Sequence, residues 1–257
     1  MYSSPEEISQ ALERYRAHRF SVLEKIISMI EHTQPCEPSE ECARHYESFR
    51  KEFLEMLLEN RPLDIDKPIE LLERWDHFKH IADITVGTSV DTDETQRISR
   101  REAFFSALEA DLKEKSPEDI RGTIAVPPEL RLLAEQVDGV WGPGLSEWTC
   151  RFHGAFFTLY DDPEIDTEVP YCPPLMDDET LEEFDVAIGA MIGHGSEQEC
   201  WAVLSRVRDN SDQPWEWRYY INRYEIDSRV LDTIPDALSC LASMGDLAIL
   251  TPIIGII

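Results

Sequence analysis

The 257 residues are 42% hydrophobic and include ten Phe, six Trp and eight Tyr, enough to bury a core and too apolar for a disordered chain. A formal net charge of −28 argues against duplex nucleic acid and anionic membrane as partners, because such a surface repels both. No apolar run follows a basic start, so no secretory leader is expected; the longest apolar run, Leu247 to Ile257, is about half what a bilayer span requires.

Helix signals fill the first 115 residues. Ser4-Pro5-Glu6-Glu7 combines an N-cap, a proline at the first helical position and a capping-box glutamate. Behind it Ile8, Leu12, Tyr15, Val22, Ile26 and Ile30 recur at helical spacing, and Pro35 and Pro38 end the run. A second helix is expected from Ser39, with Cys42, Tyr46, Phe49, Phe53 and Leu57 on one face, and a third from Asp66-Lys67-Pro68, with Leu71, Trp75 and Phe78. A fourth carries Ile98, Phe105, Leu108 and Leu112. Four amphipathic helices can cover one another as a bundle, so residues 1–115 read as a helical region.

The texture changes at Ser116-Pro117-Glu118-Asp119. Pro127-Pro128 opens a short helix with Leu130, Leu133, Ala134 and Val137, closed at Gly139. Strands are predicted at Thr149–Phe152, Ala155–Tyr160, Val186–Ile192, Cys200–Val207 and Trp217–Tyr224, and a last helix at Pro235–Met244. Strands bracketed by helices and joined by short connections predict an α+β fold with a mostly antiparallel sheet over residues 116–257.

Between two of these strands stands Gly193-His194-Gly195-Ser196. A hydrolase nucleophile elbow requires G-x-S-x-G between a strand and a helix. Here Gln198 occupies the place of the second glycine and a strand-like CWAVL follows. The segment therefore predicts a hairpin turn, with glycine supplying positive φ.

Three segments together resemble the SUKH superfamily, which includes fungal cell-wall-synthesis regulators and bacterial toxin-immunity proteins. They are IAVPPELRLLAEQVDGVWG (Ile124 to Gly142), the apolar strand ending in Ile192-Gly193 with its polar turn and aromatic-containing return strand, and DTIPDALSCLASM. The likeness covers about residues 117–245. The turn departs from the family pattern in carrying His194 and Glu197. The resemblance implies a SUKH-like sheet with flanking helices and a non-enzymatic domain that recognises protein partners, with no catalytic residues and no cofactor to carry over.

Acidic charge is concentrated in the second half. Residues 116–257 carry 27 acidic and 8 basic side chains, and no lysine follows Lys115. Between Asp161 and Asp185 there are eleven acids and no base. Asp161, Asp162, Glu164, Asp166, Asp177, Asp178, Glu182 and Glu183 therefore read as a surface for a basic protein partner, with Tyr171 as an apolar anchor and Leu175 as another. Alternation of Asp162, Glu164, Asp166 and Glu168 mimics a calcium loop, but Thr167 and Pro173 replace the glycine and glutamate that an EF-hand needs. Trp141, Trp148, Trp201, Trp215, Trp217, Tyr219 and Tyr220 either pack the core or line that interface.

The competing class is an enzyme. Glu73, His77 and His80 share a helix face flanked by Asp76 and Asp83, and with His45 or Glu47 from another helix they would make a metal-dependent hydrolase; Ser196 with His153 or His194 would make a serine hydrolase. Histidines on a charged helix face are commoner than metal sites, so no metal and no catalytic residue is expected. The six cysteines form no CxxC pair and no zinc-type spacing, which points to reduced thiols and a cytoplasmic or nuclear protein.

Overall fold

The structure, a computed structural model, describes residues 2–32, 44, 47–48, 68–73, 94–137, 139–141, 155–158, 181–194, 198–208, 212–223 and 227–243. It is an α+β fold whose sheets are antiparallel.

Helix α1 (Pro5–His32) starts as its sequence predicts. Ser4 N donates to Glu7 Oε2 at 2.7 Å and Glu7 N to Ser4 Oγ at 3.2 Å, a reciprocal cap that satisfies two backbone donors at the helix start. Its buried face is Ile8, Ala11, Leu12, Tyr15 and Val22. Helix α2 (Pro68–Glu73) lies against α1. Most of the predicted second and third helices fall outside the described residues. Helix α3 (Glu94–Lys115) buries Arg101, Phe105, Leu108 and Leu112. Ile98, expected on that stripe, is 48% exposed. It has the right spacing but sits in the first turns, which project past the core, and the stripe begins at Arg101 instead.

After a 3₁₀ turn (Arg121–Thr123), helix α4 (Pro128–Gln136) begins with proline, whose missing N–H costs nothing at a helix start. It ends three residues before the expected Gly139, because Val137 is already extended. Gly139 opens β1 (Gly139–Trp141), which pairs with β2 (Ala155–Thr158).

The main sheet has the order β3-β4-β5-β6, formed by Phe184–His194, Gln198–Val207, Glu216–Arg223 and Asp227–Leu231. All neighbours are antiparallel. A helix over 234–243, here α5, closes the described chain. Thr233 caps it: Asp236 N donates to Thr233 Oγ1 at 3.2 Å, and that hydroxyl donates to Asp236 Oδ2 at 2.6 Å.

Both sheet faces are apolar. One carries Ile188, Ala190, Ile192, Cys200, Ala202, Leu204, Trp217, Tyr219 and Ile221 and shares a single buried cluster with α1, α3, α4 and α5. That cluster draws on residues either side of position 115. The other face buries Trp201, Val203 and Tyr220 with Leu181, edged by Phe184, Val186, Met191 and Val230. Strand β3 changes phase to serve both. A register shift between Val186 and Ile188 puts Val186 on one face and Ile188 on the other, although they are two apart, as a β-bulge does.

Candidate functional site

The glycine-bearing turn is the natural starting point. His194 pairs with Glu199 across β3 and β4, so Gly193-His194-Gly195-Ser196 joins two adjacent antiparallel strands, as the sequence predicts. It does not sit between a strand and a helix, the setting of a nucleophile elbow. Residues 195–197 and His153 lie outside the described residues, as do His45, Asp76, His77, His80 and Asp83. Of the metal-site candidates, Glu47 and Glu73 are described, and both are exposed. Among the described residues no group of three His, Cys, Asp or Glu could hold a metal ion.

The acidic stretch enters the sheet at its C-terminal end. Asp161, Asp162, Glu164, Asp166, Tyr171, Asp177 and Asp178 lie outside the described residues, whereas Glu182 and Glu183 are exposed beside β3. Leu181, immediately before them, is buried against Trp201, Val203 and Tyr220, and fixes where the two glutamates leave the sheet. Asp185, with its side chain 39% exposed, is ion-paired within the chain. Arg206 Nε reaches its Oδ2 at 3.2 Å and Arg208 Nε its Oδ1 at 3.6 Å. Arg208 also donates to the carbonyls of Glu183, through its backbone N–H at 2.8 Å, and of Phe184, through Nη2 at 3.3 Å. These arginines pin the root of the acidic stretch to the end of β4.

A second arginine centre lies on the opposite face of the sheet, where Arg218 meets Phe184, whereas Arg206 stacks on Trp215. Arg218, 8% exposed, donates from Nη1 to Ser205 O at 3.0 Å and Ser205 Oγ at 3.1 Å, from Nε to Asp232 Oδ1 at 3.1 Å, and from Nη2 to Glu216 Oε2 at 3.1 Å. Its guanidinium lies 5.0 Å from the Phe184 ring centroid. The network ties β4, β5 and the end of β6 beneath the exit of the acidic stretch. Arg131, on α4, reaches Glu102 at 3.8 Å and Glu109 at 3.5 Å. Lys113, hydrogen-bonded to Glu109 at 2.6 Å, holds that carboxyl below its ordinary pKa, and Arg131 adds to the effect. Arg131, Arg206, Arg208 and Arg218 are thus all paired with acids of this chain.

The described aromatic residues of the main sheet do not extend the surface. Trp201, Trp217, Tyr219 and Tyr220 are buried, and Trp215 is packed against the core with Arg206 stacked 4.5 Å from its ring. Trp217 donates from Nε1 to Ala125 O at 3.0 Å. These four rings belong to the core and not to an exposed patch, because the residues alternate between two sheet faces that are both covered. The side chains of Trp141 and Trp148 lie outside the described residues.

Helix α4 carries a buried acid. Glu129 on α4 is 0% exposed. Its Oε1 accepts from Ser3 N at 2.5 Å and its Oε2 from Ile234 N, in the first turn of α5, at 3.1 Å. A helix start offers unpaired N–H groups and a positive dipole end, so a carboxylate is stabilised there. Gln136 Nε2 donates to Pro5 O at 3.1 Å, so α4 grips the chain at both Ser3 and Pro5. Tyr219 projects beside Glu129; burial pushes its phenol well above the usual tyrosine pKa, and the carboxylate's charge and proximity add to this. No acceptor meets the buried Tyr219 hydroxyl in hydrogen-bond geometry. Tyr2 is also raised, by burial and then by Glu216 and Glu129. The signal available in the sequence was a glutamate directly beside the buried Leu130 and Leu133 stripe.

Cys200 is buried and Cys240 half-buried. Among the described residues no helix is long and apolar enough to cross a membrane. Comparison with family models, with curated proteins and with solved structures gives no match to this chain.

Proposed function

We propose that this is a non-catalytic regulatory or scaffolding protein of the cell interior that recognises a basic protein partner through the acidic surface Asp161–Asp185. The observation that carries the reading is the distribution of charge. Residues 116–257 hold 27 acids against 8 bases, and four of those bases are paired internally. Glu182 and Glu183 stay exposed beside a rigid sheet. Such a field accelerates encounter with a cationic surface and weakens as salt screens it.

The same reading assigns the second region to a SUKH-like domain. It is supported by the order of α4, the β3–β4 hairpin with its glycine-bearing turn, and a helix following the last strand. The six cysteines form no CxxC pair and no zinc-type spacing, which suits a reducing compartment.

The test is capture of partners from native extract by the wild-type chain and by a charge reversal of Asp177, Asp178, Glu182 and Glu183. The reading expects one specific partner retained at low salt, lost at high salt and lost in the variant. Capture that ignores both salt and charge reversal removes it.

A further inference from the structure

Arg101 is 8% exposed, and its Nε and Nη2 atoms are buried with no hydrogen-bond partner among the described residues. Nε–H and Nη2–H form one edge of the guanidinium, the edge that clasps two oxygens of a carboxylate or phosphate side by side. What is unsatisfied is therefore a complete bidentate fork and not a scattered pair of donors. A buried cation without a counter-charge costs several kcal/mol, so the site is built at a cost the fold carries.

The acids of α3 do not supply that counter-charge. Glu94 pairs with Arg97 at 3.2 Å, Glu102 and Glu109 with Arg131, and Asp111 with Lys115 at 3.0 Å. Glu114 is thirteen residues further on, roughly 20 Å along the helix axis. The surroundings add cationic character: Arg97 is one turn before Arg101 on the same helix face and Arg100 is adjacent. Three arginines in five residues stand out in a chain of net charge −28. Phe105, one turn later on the stripe, is buried and lies edge-on to Phe104, with ring centroids 5.6 Å apart. Position matters too: residues 94–96 and 98–100 are exposed, so Arg101 is where α3 enters the core, at its rim.

We propose that Arg101 is the receptor of an oxyanion-binding site, gripping a carboxylate or phosphate group through its Nε–Nη2 edge. Because both donors are closed to solvent, binding is coupled to local opening around the start of α3. The inference is independent of the acidic docking surface, which has the opposite charge.

The experiment is calorimetric titration and thermal unfolding of the full chain with sodium phosphate and, separately, sodium glutarate, at ionic strength held constant with sodium chloride. Wild-type protein is expected to give a saturable signal with at least one anion. Saturation by phosphate alone identifies a phosphate-bearing ligand, and saturation by glutarate alone a carboxylate. Arg101→Lys keeps the charge but loses the fork, and should weaken binding by about tenfold or more. Arg101→Met, which removes an unpaired buried charge and so remains folded, should abolish it. No saturable response to either anion, or a response unchanged in both variants, overturns the proposal.

Discussion

Replacing Glu129 separates a structural carboxylate from a tolerated one. The side chain is fully buried and accepts from two backbone amides, Ser3 N and Ile234 N. Glu129→Leu fills the space with an apolar group and leaves both donors without an acceptor. A buried donor left unsatisfied costs about 1–3 kcal/mol, so the two together amount to about 2–6 kcal/mol, less whatever is regained by no longer burying a charge. Glu129→Gln retains one carbonyl oxygen and turns an amide N–H₂ toward the other donor, so it should lose about half as much. For a chain of this length each kcal/mol lowers Tm by about 2–4 °C. Urea unfolding followed by tryptophan fluorescence reads the difference directly, with Leu below Gln below wild type. A Glu129→Leu protein within about 0.5 kcal/mol of wild type would refute the view that this carboxylate joins α1, α4 and α5.

Tyr219→Phe removes a buried hydroxyl that stands beside the Glu129 carboxylate outside strict hydrogen-bond geometry, so urea unfolding at neutral pH should change stability by no more than about 1 kcal/mol in either direction. Its folded pKa lies above the unfolded value of about 10. The stabilisation is therefore complete below pH 10 and is lost as pH rises further, because the unfolded chain releases that proton first; the same titration at pH 9–11 should show a shallower alkaline decline in Tyr219→Phe than in wild type. Arg218→Met should cost about 1–3 kcal/mol by orphaning the buried Ser205 oxygens. The two freed carboxylates add little, since Asp232 and Glu216 side chains are 80% and 51% exposed. Metal analysis of the purified protein should find no stoichiometric zinc or iron; either metal, lost in a His77→Ala/His80→Ala double mutant, would support the hydrolase alternative.

Local chemistry made much of the fold legible. The Ser4–Glu7 cap, Pro128 at the start of α4 and the spacing of Phe105, Leu108 and Leu112 are signals carried within a few residues, and the structure agrees with them. The hairpin at Gly193–Ser196 was legible for the same reason. Strand β6 was not, because DSRVL has two apolar residues and owes its conformation to pairing with β5. The phase change in β3 was hidden as well, since Val186, Ile188, Ala190 and Ile192 read as one face until a bulge divides them. Arg101 and Glu129 escaped notice because charged residues in an apolar stripe look like its solvent edge. Only the packing of elements far apart in sequence, α3 with the sheet and α4 with Ser3 and Ile234, shows them to be buried. The acidic surface was legible as composition, but the ion pairs of Asp185 with Arg206 and Arg208, more than twenty residues away in the chain, were not.

The central claim, that surplus negative charge draws a basic partner, is tested most directly by stopped-flow association with the captured partner across ionic strength. The account predicts that the association rate falls steeply from low to physiological salt and falls again in a Glu182→Lys/Glu183→Lys variant, with dissociation changing less. An association rate that is flat with salt and equal in the variant would contradict it.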